Sequence, residues 1–224
     1  MLKKIAVIGG AGNVGRGIVK TFKKFGWEVD VIDPQINSSF EELNEFELKK
    51  IFSPVKHIVY CAEIGNRDLY TSSLDLGKRN NFRFKNFCIK TSQLNPEATI
   101  WYIGSWTKRK PNKKWIVTDK SPNKLFKECI PYEKAKISAE KNARSLSKKI
   151  KIRFLDWASI VPNLSENFTI AKMVKQALSE GIITYSPGQY GRPLLESEQA
   201  GEALLLLIKN DKKVRFKTFF IPGI

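Results

Sequence analysis

The sequence is poor in residues that bind metals or cross-link chains: three cysteines, two methionines and one histidine among 224 residues. Cys61, Cys88 and Cys129 are scattered, without the close pairs that a disulfide framework or a zinc site requires, so a reducing compartment and no metal centre are expected. The single histidine, His57, heads an apolar run and reads as a packed strand residue rather than as part of a Ser-His-Asp arrangement. Long apolar runs are also missing. Ile5 to Ile8, behind Lys3 and Lys4, is too short for a targeting signal and ends in glycines, and no other stretch could span a bilayer. A cytoplasmic protein without membrane attachment is the expectation. Acidic residues are scarce beside basic ones, 22 against 39, for a formal net charge of +17. That sign attracts polyanions, but the lysines are spread along the chain and no nucleic-acid motif accompanies the Lys-rich stretches Lys108 to Lys114 and Lys148 to Lys151. They fall in expected loops and helix ends, which points to a solvated surface and speaks against a nucleic-acid partner.

What the chain does have is alternation. Short apolar runs, Lys4 to Ile8, Glu28 to Ile32, His57 to Cys61, Thr99 to Ile103, Lys151 to Leu155 and Arg215 to Ile221, alternate with segments of helical period. The helical segments are Val14 to Phe25, Phe40 to Phe52, Leu69 to Leu94, Tyr132 to Lys149, Phe168 to Glu180 and Ser197 to Lys209. This is the pattern of an α/β fold, a doubly wound parallel sheet covered by helices. The length suits one such domain with little over for a second. Trp157, Leu194, Leu195 and Leu204 to Leu207 read as core, and Lys108 to Ile130 reads as a long loop, a feature that is often functional in compact domains.

The first run ends in Gly9-Gly10-Ala11-Gly12-Asn13-Val14-Gly15, directly between a strand and a helix. A tight turn, close approach of backbone to a pyrophosphate and close packing of helix on strand each exclude a Cβ, while the opening residues Asn13, Val14 and Gly15 offer helix N–H groups and a positive dipole end to phosphates. The second run leads into Asp33, at the spacing of the acidic residue that accepts hydrogen bonds from the adenosine ribose hydroxyls. A carboxylate there would repel a 2′-phosphate. The segment from Lys4 to Asp33 is therefore expected to be the first βαβ unit of a Rossmann-type domain binding NAD, with NADP disfavoured.

From here the sequence resembles the extended short-chain dehydrogenases/reductases, which include nucleotide-sugar epimerases and dehydratases. Gly9, Gly12 and Gly15 are spaced like the family's fingerprint. His57-Ile58-Val59-Tyr60-Cys61-Ala62 resembles its fourth strand, Trp101-Tyr102-Ile103-Gly104-Ser105 its fifth strand ending in the catalytic serine, and Tyr132 and Lys136 its Tyr-x-x-x-Lys pair. The resemblance implies that Ser105, Tyr132 and Lys136 are catalytic, that Cys61, Ala62, Lys136 and Pro162 line the cofactor, and that Asn80 or Asn81 stands near the proton relay. Tyr132 and Lys136 would share one helix face, so that one ammonium acts on one phenol. A tyrosine with an ordinary pKa near 10 is a poor base at neutral pH, and a neighbouring cation favours its phenolate.

The departures from the family shape the expectation further. Dehydratases of the family follow the active-site hydroxyl with an Asp-Glu pair, where this chain has Trp106 and Thr107, which argues against dehydration. The third strand, with its adenine-contacting acidic residue, is not found between Pro34 and Phe52. The substrate part is small, drawn from residues 163–224, in which Tyr185 to Arg192 resembles the loop whose arginine grips a substrate phosphate and makes Arg192 the candidate for that role. The reading is an oxidoreductase or epimerase acting on a small molecule, expected to be a nucleotide-linked sugar, with a homodimer compatible. Its alternatives are a reductase of simple carbonyl compounds and a non-catalytic dinucleotide-binding sensor or assembly subunit.

Overall fold

In the computed structural model, residues 3–64, 67–73, 75–112, 117, 118, 120–161, 169–183, 194–211 and 216–221 are described. The chain runs β1 (Lys4–Ile8), α1 (Asn13–Lys24), β2 (Glu28–Ile32), α2 (Glu45–Phe52), β3 (His57–Tyr60), α3 (Arg67–Ser72), α4 (Leu76–Leu94) and β4 (Thr99–Ile103). It continues with α5 (Pro131–Leu146), β5 (Lys151–Trp157), β6 (Ser159–Val161), α6 (Thr169–Glu180), β7 (Leu194–Glu196), α7 (Ser197–Lys209) and β8 (Phe216–Ile221). Six strands form one sheet in the order β2-β1-β3-β4-β5-β8, and every pairing in it is parallel. The expected doubly wound α/β fold is the observed one.

Both faces of the inner strands β1, β3, β4 and β5 are buried, as central parallel strands require, and successive residues of each strand go to opposite sides. Ala6, Ile8, Ile58, Tyr60, Ile100, Tyr102, Ile152 and Phe154 join Leu48, Phe52, Phe84, Phe87 and Ala139 of α2, α4 and α5 in one core layer. Ile5, Val7, Val59, Trp101, Leu155 and Trp157 join Ile18, Phe22, Ala200 and Leu204 of α1 and α7 in the other. Trp157, Leu195, Leu204 and Leu205 are core as expected, whereas Leu206 is 61% exposed on the outer side of α7.

The sheet ends at β2. Between β2 and β3 the chain makes turns and a single helix, α2, so the strand that lies outside β2 in the 3-2-1-4-5-6 Rossmann order is absent. The missing third strand of the sequence reading is thus a feature of the fold. Helix α2 is shorter than the expected Phe40 to Phe52 because Asn44 caps it: the Asn44 side chain accepts from Glu47 N at 3.0 Å, and Glu47 accepts from Asn44 N at 2.9 Å. The expected helix from Leu69 to Leu94 is two helices, α3 and α4, parted around Ser73. The pair β6 and β7, a small separate parallel sheet, was not foreseen, since three-residue strands have no periodicity to read. Within the expected substrate part, α7 lies in the layer against α1 and β8 extends the main sheet along β5. Among the described residues no helix is long and apolar enough to cross a membrane, and no cluster of His, Cys, Asp and Glu could hold a metal ion.

Candidate active site

Strand order reverses between β1 and β3, because β2 lies on one side of β1 and β3 on the other. Open parallel sheets bind ligands at such a switch point, outside the carboxyl ends of the strands. Gly9 follows β1 with a φ of 81°, and a Cβ on it would lie 2.7 Å from the backbone nitrogen of Ala62, after β3. A Cβ on Gly15 would lie 2.2 Å from the carbonyl oxygen of Gly9. Gly12 differs from these two, since among the described residues its Cβ would meet only that same carbonyl, at 3.3 Å. As the N-cap of α1, Gly12 offers no side chain to the first-turn N–H groups, and that turn, which contains Asn13, Val14 and Gly15, holds no acidic residue. The positive end of the helix dipole is left for an anion.

Asp33 follows β2 and is buried, with 4% of its surface exposed. Its Oδ2 accepts from Ala11 N and its Oδ1 from Gln35 N, both at 2.9 Å. The carboxylate therefore ties the glycine loop to the end of β2. On the other side of the loop, Cys61 N donates to Ile8 O at 2.8 Å. Burial pushes the Cys61 thiol up to about 12, so it packs rather than reacts.

Ser105 lies just past β4 and is 7% exposed. Its Oγ is 3.0 Å from Thr107 Oγ1, and Trp106 to Lys108 form a short 3-10 turn. Tyr132 occupies the second position of α5, behind Pro131, whose fixed φ suits a helix start. Its ring meets Tyr70 edge to face, with centroids 5.2 Å apart. Lys136 is 4% exposed, and its Nζ donates to Ile103 O at 2.8 Å. The same ammonium is 5.6 Å from the Tyr132 ring centroid and 5.2 Å from that of Tyr102. One turn of α5 thus brings the tyrosine ring and the lysine to the end of the strand that leads to Ser105.

A residue the sequence reading missed stands at the centre of this group. Glu63, directly after Ala62, has its Oε2 2.7 Å from Lys136 Nζ. Tyr102 donates its hydroxyl to Glu63 Oε1, and Tyr70 donates to Oε2 at 3.2 Å. Asn80 in turn donates to the Tyr70 hydroxyl at 2.8 Å and to Ile64 O at 2.9 Å, whereas Asn81 donates to Ala135 O at 3.3 Å. Burial works against the Lys136 charge, but Glu63, through its charge and hydrogen bond, with Tyr132, holds the ammonium above the ordinary lysine value. Burial, with Glu63 alongside, pushes Tyr102 and Tyr70 upward, so both remain phenols that donate to the carboxylate. Only the strand-end position next to Ala62 could have pointed to Glu63.

The Lys-rich loop contains a second surprise. Lys108 and Arg109, expected among the solvated lysines, are buried. Lys108 pairs with Glu140 and, at 2.9 Å, with Asp156, while Arg109 pairs with Asp156 at 2.6 Å. Charges that leave water need such partners, and these strap the loop after Ser105 to α5 and β5. Pro162 and Arg192, the remaining candidates for cofactor and substrate contacts, lie outside the described residues.

Comparison with known proteins fits this geometry. No curated protein matches the chain, but many solved structures do. MoeE5, solved with UDP-glucuronic acid and NAD, superposes with a TM-score of 0.81 at 15% identity, over 98% of this chain and 76% of that one. The UDP-glucose 4-epimerase of Thermus thermophilus, solved with NAD, gives 0.75 at 16%, over 98% and 77%. The UDP-N-acetylglucosamine 4-epimerase of Bacillus cereus gives 0.77 at 21%, over 98% and 75%. At these identities the likeness is one of fold. A family model for the NAD dependent epimerase/dehydratase family matches residues 5–221, nearly the whole chain, and the protein belongs to that family.

Proposed function

We propose that this protein is an NAD-dependent oxidoreductase or epimerase that works at a hydroxyl or keto carbon of a nucleotide-linked sugar. The observation that carries the reading is the position of Lys136, whose ammonium meets both the carbonyl of Ile103, two residues before Ser105, and the face of Tyr132. The crevice also fits the cofactor. A pyrophosphate needs a helix N-terminus and a loop surface without side chains, which Gly12 supplies, and the proteins of like fold named above include complexes with NAD and a UDP-sugar.

When bound, the nicotinamide would supply the acceptor and donor of hydride. The chain's own residues would do the rest. Asp33 would accept the adenosine ribose hydroxyls with the lone pairs left beside its bonds from Ala11 and Gln35. The same carboxylate would repel a 2′-phosphate, hence NAD over NADP. Ser105 would hold the reacting oxygen by a hydrogen bond, the Tyr132 hydroxyl would move the proton at that oxygen, and Lys136 would hold the Tyr132 ring in place and bind the second ribose. Trp106 and Thr107 offer no acid-base pair after Ser105, so epimerisation or reduction is favoured over loss of water.

The test is turnover across a panel of sugar nucleotides and simple carbonyl compounds, followed by epimerisation or NADH oxidation. Tyr132→Phe should lower kcat by about 10²- to 10⁴-fold with little change in dinucleotide affinity. Lys136→Met should lower turnover and affinity together. Unchanged turnover in Tyr132→Phe would overturn the mechanism, and tight NAD binding without turnover on any substrate would favour the non-catalytic sensor.

A further inference from the structure

We propose that Glu63 sets the balance between oxidised and reduced cofactor by cancelling the charge of Lys136 at the nicotinamide end of the site. The inference rests on the NAD reading above and concerns what that reading leaves unexplained, a half-buried carboxylate on the buried lysine. Glu63 Oε2 lies 2.7 Å from Lys136 Nζ. Its position is built from several elements: Tyr102 of β4 and Tyr70 of α3 donate their hydroxyls to it, and Asn80 of α4 orients Tyr70 while bonding both backbone groups of Ile64, the next residue. The Tyr102 and Tyr70 hydroxyls and the Lys136 ammonium, from β4, α3 and α5, fix the carboxylate there.

The consequence is electrostatic. The oxidised nicotinamide ring is positively charged and the reduced ring is neutral. A lone ammonium beside the ring would repel the first and leave the second unaffected, so it would favour NADH. With Glu63 paired to Lys136 the site carries no net charge, and the oxidised form is retained without that penalty. With an effective dielectric between that of a protein surface and that of water, one uncompensated charge next to the ring is worth about a tenfold change in the affinity ratio.

Equilibrium titration with NAD⁺ and with NADH separately measures this without turnover. Relative to the native chain, Glu63→Gln should raise Kd(NAD⁺)/Kd(NADH) by about tenfold, and Glu63→Asp, which keeps the charge, should leave the ratio near native. Lys136→Met should shift the ratio the opposite way, because it leaves the carboxylate alone. It also removes a ribose contact, but that loss affects both forms and divides out. The double variant should return toward the native ratio. The Lys136→Met arm stands even if Glu63→Gln fails to fold. Ratios that stay at the native value in Glu63→Gln, or in Lys136→Met where only that variant folds, would overturn the inference while leaving the NAD reading intact. A native chain that binds neither form would overturn the NAD reading itself.

Discussion

A side chain at Gly12 would point where, among the described residues, the chain itself comes no nearer than one carbonyl at 3.3 Å. Gly12→Val should therefore keep a near-native circular dichroism spectrum and lose dinucleotide binding in titration; persistent binding would mean that the phosphates lie elsewhere. Asp33 calls for a more careful substitution. Asp33→Ala would strip the acceptor from Ala11 N and Gln35 N, and a buried donor left unpaired costs about 1–3 kcal/mol, so loop damage would mix with lost ribose contacts. Asp33→Asn removes the charge and keeps one of the two accepting oxygens, enough to hold Ala11 N on the glycine loop while Gln35 N loses its partner. It should narrow the preference for NAD over NADP while the glycine loop stays formed, and a native chain that bound NADP equally well would sink the assignment. The placement of Gly12 and Asp33 beside one another at the strand ends was legible because it follows from spacing around one strand and one turn. Glu63 was not, because its role depends on Tyr70, Tyr102 and Lys136, which lie on three other elements and meet it only in the folded chain.

At the scale of elements, the four inner strands of the main sheet were readable because a strand buried on both faces must be an apolar run, and the partly exposed edge strands β2 and β8 were readable from their β-branched and aromatic residues. The helices were readable in kind but less so in extent. Asn44 and Glu47 form a capping box that starts α2 five residues after Phe40, and that signal lay in the sequence. The close contact of α1 and α7 was not readable, because it depends on which glycines face one another. A Cβ on Gly17 would lie 2.3 Å from backbone atoms of Ser197, and one on Gly201 would lie 2.5 Å from Thr21 Oγ1. Helix propensity alone predicts that Gly17→Ala gains about 1 kcal/mol. The contact predicts the reverse, a loss of about 1–3 kcal/mol from overpacking, with Gly17→Val losing more. Urea unfolding decides between them, and a stabilised Gly17→Ala would show that α7 can move away from α1 at no cost.

For the whole molecule, pH exposes how the buried ionisable groups are balanced. His57 accepts a hydrogen bond from Trp101 Nε1 at its Nδ1, 3.2 Å away, so it is packed in its neutral form, as the strand reading expected. Burial, opposed in part by Asp211, lowers its pKa from 6.5 to about 4. The unfolded chain therefore binds a proton that the folded chain refuses, and the stability this group contributes is complete above pH 6.5 and is lost as pH falls toward 4. The loss between these limits is about 3 kcal/mol. Glu140, buried but held below the ordinary carboxylate value by Lys108, loses its own contribution only below the unfolded value of 4.5. Glu41, likewise held low by Arg83, behaves the same way. Asp156, raised by burial despite Lys108 and Arg109, acts with the opposite sign. A comparison of two chains that share all three carboxylates cancels them. His57→Gln can still accept from Trp101 through its amide oxygen but does not titrate. Denaturant unfolding at pH 7 and pH 4.5 should show the native chain losing about 2–3 kcal/mol more than His57→Gln between the two conditions. Equal losses in the two chains would mean that His57 takes up its proton in the folded state, and that the contact with Trp101 does not depend on the neutral ring.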